Sequence, residues 1–237
     1  EVTGPGTVVP ADAPRMGSVG TPLIGVETRL AGDGELLIRG GLLMAGYHRA
    51  PEQTAETIDA EGWLHTGDIA TIDADGYHWI VDRKKELMIT AAGKNVSPAN
   101  IESLIKHHPL IDQAVVVGDR RRYVAGLVVL DRLAGAAWAR ARGIEAASIP
   151  ELVRQPELIA EVRRAVADAN VHLSRPEQVK RFAILPAEWT VESEELTPTQ
   201  KLRRRVIERK YASTIEELYA EPPAGHPVEE APAAART

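Results

Sequence analysis

The sequence predicts an α+β protein in two parts: a β-rich stretch over residues 1–82 and a mixed α+β stretch over residues 83–220, followed by a disordered tail over 221–237. Three observations carry that expectation. Within residues 62–93, three short apolar runs (69–72, 77–81 and 87–90) are bounded by polar turns, namely T-G-D at 66–68, D-A-D-G at 73–76 and D-R-K-K at 82–85. Val, Ile and aromatic enrichment with Gly/Asp punctuation is the pattern of consecutive strands and hairpins. Downstream, strand-like runs alternate with stretches of helical period. The last segment is rich in Pro, Ala and Glu, a composition that cannot bury enough apolar surface to order itself.

Taken in order, the first twenty residues are rich in Gly and Pro without helical period and read as loop and short strands. Strands are expected at 25–30 and 35–39, joined by Ala31-Gly32-Asp33-Gly34, a hairpin loop with two glycines available for positive φ. Residues 51–59 form a short helix with Pro in its first turn. Beyond the turn at 82–85, Ser97 is an N-cap and Pro98 the first helical residue, with Ile101, Leu104 and Ile105 on the apolar face. Ile111–Val117 and residues 123–130 read as strands around a loop with three arginines, and 133–142 as a short Ala-rich helix. Ile159, Val162, Val166, Ala169 and Leu173 trace an amphipathic helix. A strand at 178–185 and helices at 199–210 and 214–220 complete the second part, whose size is ordinary for a domain. The first part is small, and domains of about 60 residues bury only about 60% of their unfolded surface.

Composition narrows the function classes. The chain has 237 residues, is 44% hydrophobic and carries a formal net charge of −6. Cysteine is absent, which excludes disulfides, thiolate metal sites and a thiol nucleophile. No apolar run approaches the roughly 18 residues of a membrane span, and the opening EVTGPGTVVP lacks the basic and apolar regions of a signal peptide. A cytoplasmic protein without an integral membrane segment is expected, with room for peripheral membrane contact; oligomeric state is not legible. The run 201–210 holds six Lys/Arg and one Glu, but without interleaved aromatics in an acidic chain it does not argue for nucleic acid. The seven histidines have no ligand spacing, and Gly93-Lys94 lacks the leading glycine of a P-loop.

The motifs are more specific than the composition. G-W-x-x-T-G-D ends at Asp68, and D-R-x-K spans Asp82 to Lys85. Upstream stand G-x-V-G-x-P-L-x-G-V-E, from Gly17 to Glu27, and G-E-L-x-I-R-G, from Gly34 to Gly40. Together they resemble the adenylate-forming acyl-CoA synthetase family, which also holds luciferases and peptide-synthetase adenylation domains. The resemblance implies that residues 1–82 are the barrel-like end of a large AMP-binding domain and residues 83–220 a small mobile carboxy-terminal domain. N-x-x-L-S-x-x-E-Q-V-K-x-F-x-I at 170–184 and L-T-P-T-x-K-L at 196–202 resemble the long-chain fatty acid members.

The resemblance assigns roles residue by residue. Asp68 would bind the ATP ribose, where a carboxylate can accept from both hydroxyls. Arg83 would face the ribose or phosphates with its rigid fork of donors. Asp82 and Lys85 would form the hinge. Gly93, with Lys94 beside it, would line the pantetheine tunnel of CoA, since a glycine lets backbone approach a thin ligand closely. Lys201 would be the catalytic lysine that reaches the acyl carboxylate and α-phosphate; the usual family glycine before it is Gln200 here. Arg203–Arg205 are offered as contacts of the CoA nucleotide. Glu1 resembles the last residue of an upstream turn whose glutamate helps hold Mg²⁺.

The implied protein is a long-chain fatty acid–CoA ligase: ATP, fatty acid and CoA give acyl-CoA, AMP and pyrophosphate through an acyl-adenylate. The family's phosphate-binding loop and acyl pocket lie upstream of the glutamate matched by Glu1. The chain therefore reads as roughly the last third of such an enzyme, inactive alone. Two rivals are an adenylation domain loading a carrier protein and a stand-alone docking module without catalysis. Asp68, Arg83 and Lys201 would serve no purpose in the latter.

Overall fold

A computed structural model describes residues 1–145 and 148–220; the tail expected over 221–237 lies outside the described residues. The chain divides into two compact units, Glu1–Leu87 and Met88–Thr237.

The first unit opens on a short antiparallel pair, β1 (Thr7–Val8) and β2 (Thr21–Pro22). It continues with β3 (Val26–Leu30), β4 (Glu35–Gly40), helix α1 (Pro51–Thr57), β5 (Leu64–Ile72) and β6 (His78–Arg83). β3 to β6 form one four-stranded antiparallel meander in chain order. The loop 31–34 closes the β3–β4 hairpin, with the Gly34 amide donating to the Ala31 carbonyl at 2.9 Å. Pro51 sits in the first turn of α1, where its missing N–H costs nothing. The buried apolar cluster here is small: Leu36, Ile38 and Ala70, with Val26 and Leu43 against them. Trp63 adds two cation–π contacts, with the guanidinium groups of Arg29 and Arg39 over its ring at 4.3 and 4.4 Å.

The second unit begins with a two-stranded ladder, β7 (Met88–Ile89) and β8 (Asn95–Val96). The third apolar run of the opening pattern thus belongs to this ladder and not to the meander. There follow α2 (Pro98–Lys106), β9 (Ile111–Val117), β10 (Val124–Leu130), α3 (Arg132–Ala141), α4 (Ile149–Leu152), α5 (Pro156–Val171), β11 (Val179–Leu185), α6 (Arg204–Lys210) and α7 (Ala212–Tyr219). Ser97 caps α2 as its spacing predicts, its hydroxyl accepting from the Asn100 amide at 3.2 Å.

β10 is the central strand of a three-stranded sheet, antiparallel to β9 and parallel to β11. Every residue of β10 is buried, as a strand with both faces covered requires. The pleat sorts its side chains alternately. Val124 and Val128 join α2 and α5 through Ile101, Ile105, Leu158, Val162 and Val166. Leu127 and Val129 join α6 and α7 through Ile207, Ile215 and Leu218. The unit is a helix–sheet–helix layering with two cores, far better filled than the first unit.

One polar group inside this core explains a motif residue. Asn170, 2% exposed at the end of α5, donates through Nδ2 to the Val179 carbonyl and accepts at Oδ1 from the Val179 amide, both at 2.9 Å. It completes the backbone at the first residue of β11. Asn170→Leu orphans both groups, each at a cost of about 1–3 kcal/mol, so the expected destabilisation is about 2–6 kcal/mol. Urea unfolding of the chain measures it; a loss under about 0.5 kcal/mol contradicts the pairing.

Candidate functional site

The T-G-D segment is not a turn between elements, as its composition suggests, but a bulge inside β5. Glu35 pairs with Ile69 and Leu37 with His65, so Thr66, Gly67 and Asp68 stand opposite the single residue Leu36. Gly67 absorbs the distortion at φ +70°, a backbone state that side chains disfavour. Thr66 fixes the bulge from within: its hydroxyl donates to the Leu36 carbonyl at 2.7 Å and accepts from the Asp68 amide at 3.1 Å.

The bulge sets Asp68 opposite Arg83 at the end of β6. The Arg83 Nε lies 2.8 Å from Asp68 Oδ1. Burial pushes the Asp68 carboxyl above the usual carboxylate range; Arg83 opposes the shift and the nearby Glu35 charge adds to it. Asp82, buried, accepts from the Arg83 amide at 2.7 Å. Lys84, Lys85 and Glu86 form the following turn, closed by the Glu86 amide on the Arg83 carbonyl at 2.9 Å. Asp82 and Arg83 are thus strand residues, and the turn starts later than D-R-K-K suggests.

A cleft of about 830 Å³ opens in this unit, lined among others by Glu1, Tyr47, Thr66, Gly67, Arg83 and Lys85. Asp68 is not among the lining residues, its carboxylate being held by Arg83. The Tyr47 hydroxyl donates to the Glu1 carboxylate. Among the described residues no group of three or more His, Asp or Glu could hold a metal ion alone. A single carboxylate such as Glu1 fits Mg²⁺ only when the ion's other ligands are water and phosphate, its usual coordination with nucleotides.

Two hairpins of the second unit carry the remaining candidates. Gly93 lies in the β7–β8 loop at φ +71°, with its amide on the Thr90 carbonyl at 2.8 Å and the Thr90 amide on the Lys94 carbonyl at 3.0 Å. Among the described residues no atom lies within 4 Å of the place of a Cβ at Gly93, so the constraint there is backbone conformation and not crowding. Lys94 is exposed, its amide on the Thr90 hydroxyl at 3.3 Å.

Lys201 overturns a sequence expectation. The helix predicted over 199–210 begins only at Arg204. Residues 197–201 fold as a tight hairpin: the Thr197 amide donates to the Lys201 carbonyl at 2.8 Å, and the Lys201 amide to the Thr197 hydroxyl at 3.0 Å. Leu196 and Leu202 bridge its base. Gln200 takes φ +62°, the left-handed state that explains why glycine suits this position. The Thr197 side chain competes with helical hydrogen bonding, a habit of hydroxyl residues that composition does not reveal. The Lys201 side chain is exposed and has no ion-pair or hydrogen-bond partner among the described residues.

The basic run is also not a uniform face. Arg204 forms a two-pronged pair with Glu102 of α2, Nη1 and Nη2 each 2.6 Å from one carboxylate oxygen, and Glu102 also accepts from the Val116 amide at 2.8 Å. Arg204 is therefore committed to the interior, which removes it from the expected CoA contacts, while Arg203 faces Glu194 at 3.4 Å. Lys210 pairs with Glu195, wholly buried, at 2.5 Å, and Tyr211 donates to the same oxygen at 3.1 Å.

Sequence reasoning missed Glu35, which is buried at the start of β4. Its Oε1 accepts from the Gly67 amide at 2.9 Å, and its Oε2 lies 2.9 Å from Lys84 Nζ and 3.1 Å from His65 Nδ1. Burial alone would raise this carboxyl; hydrogen bonds from Lys84, His65 and the Gly67 amide outweigh it and hold it below its ordinary value. The available signal was a charge opening an otherwise apolar strand, E-L-L-I.

A family model described as the AMP-binding enzyme C-terminal domain matches residues 85–222. Putative fatty-acid–CoA ligase fadD11 of Mycobacterium tuberculosis is 50% identical over 207 residues, which cover 87% of this chain and 36% of that protein. Long-chain-fatty-acid–CoA ligase FadD15 of the same species is 44% identical over 206 residues, covering 86% of this chain and 34% of that one. The chain thus spans about a third of the length of these curated relatives. Among solved structures, the A domain of a carboxylic acid reductase from Segniliparus rugosus, in complex with AMP and a carboxylic acid, superposes with a TM-score of 0.65. It is 23% identical, over 85% of this chain and 32% of that one, a likeness of fold alone. An ATP-bound RpMatB-BxBclM chimera has a TM-score of 0.62 at 27% identity, over 87% of this chain and 38% of that one.

Proposed function

Because the chain belongs to the AMP-binding enzyme C-terminal domain family, we propose that it is the carboxy-terminal third of a long-chain fatty acid–CoA ligase. Such a ligase joins ATP and a fatty acid into an acyl-adenylate with release of pyrophosphate, then transfers the acyl group to CoA with release of AMP. ATP and CoA as co-substrates suit a cytoplasmic enzyme; among the described residues no helix is long and apolar enough to cross a membrane.

In this reading Asp68 and Arg83 hold the nucleotide, Asp68 at the ribose hydroxyls and Arg83 at the ribose or phosphates. Glu1 contributes one carboxylate to Mg²⁺, which when bound neutralises phosphate charge. Residues 1–82 end the large domain and residues 83–220 form the mobile one, with Asp82 and Lys85 at the hinge. Lys201 serves adenylation; Gly93 and Lys94 serve the CoA step. The observation that supports the reading most is the cleft of the first unit, where Glu1, the Thr66-Gly67 bulge, Arg83 and Lys85 meet around a volume of about 830 Å³, within the range of pockets that hold small molecules.

The test joins this chain to the amino-terminal two-thirds of the 50% identical mycobacterial relative. The joined protein is expected to make acyl-CoA from ATP, CoA and a long-chain fatty acid, while the chain alone stays at background. Background activity from the joined protein, or full activity from the chain alone, overturns the reading.

A further inference from the structure

Glu35 has no place in the roles above, yet it joins both sides of the Asp68–Arg83 pair. Gly67 precedes Asp68 in the bulge of β5, and Lys84 follows Arg83 at the end of β6. One carboxylate oxygen of Glu35 holds the Gly67 amide and the other holds the Lys84 ammonium. Its residue exposure is only 3%. A carboxylate that far from water persists only where donors replace its hydration, as Gly67, Lys84 and His65 do here. Lys84 is held a second time, by Asp33 at 2.6 Å.

The geometry points to Glu35 as a positioning residue for nucleotide binding: it fixes the spacing and orientation of Asp68 and Arg83 by clamping their chain neighbours Gly67 and Lys84. The inference rests on the nucleotide role proposed for Asp68 and Arg83 and adds the residue that sets their geometry. The bulge needs such a clamp. Gly67 is the most permissive residue at the most distorted point of β5, and its amide lies outside the regular ladder of the meander. With the amide and the ammonium fastened to one buried group, the bulge and the β6 end cannot drift apart independently. Lys84 also keeps the start of the 84–86 turn on the first unit.

The test uses the joined ligase described above, carrying Glu35→Gln or Glu35→Ala. Alanine removes the contacts to Gly67, Lys84 and His65 together. Glutamine keeps an acceptor for the Gly67 amide and loses the charge facing Lys84. The expected result for Glu35→Ala is a KM for ATP raised roughly tenfold, the scale of losing a hydrogen bond to a charged group. The KM for fatty acid should change less than about twofold, because Glu35 acts on the nucleotide residues alone. Glu35→Gln should fall between the parent and Glu35→Ala. If Glu35→Ala does not fold, Glu35→Gln decides, with ATP KM raised and fatty acid KM steady. Equal changes in both constants, or none in the ATP constant, overturn the inference while leaving the parent activity intact. An inactive parent instead removes the proposed function, and this inference with it.

Discussion

Lys201→Ala slows acyl-adenylate formation by about 10²–10³-fold in a ligase that carries this chain, the scale of losing one preorganised charge-stabilising group. The expectation rests on the adenylation role proposed for this lysine and on the hairpin that holds its backbone. Thr197 holds both the amide and the carbonyl of Lys201, and the Leu196–Leu202 bridge closes the base. Backbone is fixed while the side chain stays unpaired among the described residues. In adenylation a carboxylate attacks the α-phosphate of a polyanion, and charge moves toward pyrophosphate as it leaves. A cation held there favours the transition state over the ground state, which is the condition for raising the rate. ATP–pyrophosphate exchange measures the step. A loss below about threefold would mean that the ammonium is not at the reacting phosphate.

Arg204→Ala is expected to destabilise the second unit by about 3–5 kcal/mol, the scale of breaking a buried ion pair by removing one of its members. Glu102 is 5% exposed, and both its oxygens are met by the Arg204 fork. Removing the fork leaves a carboxylate that still accepts from the Val116 amide but has lost the cation facing it. The pair joins α6, which follows Lys201, to α2, which follows the Gly93 hairpin. Its loss should therefore loosen both hairpins as well as the core. The double substitution Glu102→Met, Arg204→Met removes both charges and should recover much of the loss. Recovery is incomplete because the Val116 amide then loses its carboxylate acceptor, at about 1–3 kcal/mol. Urea unfolding of the two variants decides it. A single-variant loss under about 1 kcal/mol would place the pair with weak surface ion pairs instead.

The contrast between the two units shows what a sequence discloses. β9, β10, β11, α2 and α5 are legible because their burial is patterned: apolar runs in the strands, and Val162 and Val166 on one face of α5. The Asp68–Arg83 juxtaposition is legible only through motifs, since nothing in local pattern tells that two short polar segments will face each other. Three features were out of reach for definable reasons. T-G-D reads as a turn because Gly and Asp punctuate turns, whereas here they build a bulge that pairing with β4 keeps inside a strand. The Lys201 hairpin reads as helix because it leads without a break into good helix formers; Thr197 and the left-handed Gln200 hold it apart from them. Glu35 and Lys84 are far apart in the chain, and their pairing depends on a meander register that alternation alone does not fix.

In the proposed ligase one domain serves two half-reactions with different residues, and the second half-reaction tests that division most directly. Preformed acyl-adenylate and CoA are supplied to the joined ligase carrying Lys201→Ala or Gly93→Leu. Lys201→Ala should form thioester at a near-parental rate. Gly93→Leu should be severely slowed, because a branched side chain is forced onto a backbone at φ +71° where CoA is proposed to pass. Its ATP–pyrophosphate exchange should stay close to parental. If both variants lose the two half-reactions in the same proportion, Lys201 and Gly93 act only through the stability of the second unit, and the proposed division of labour is contradicted.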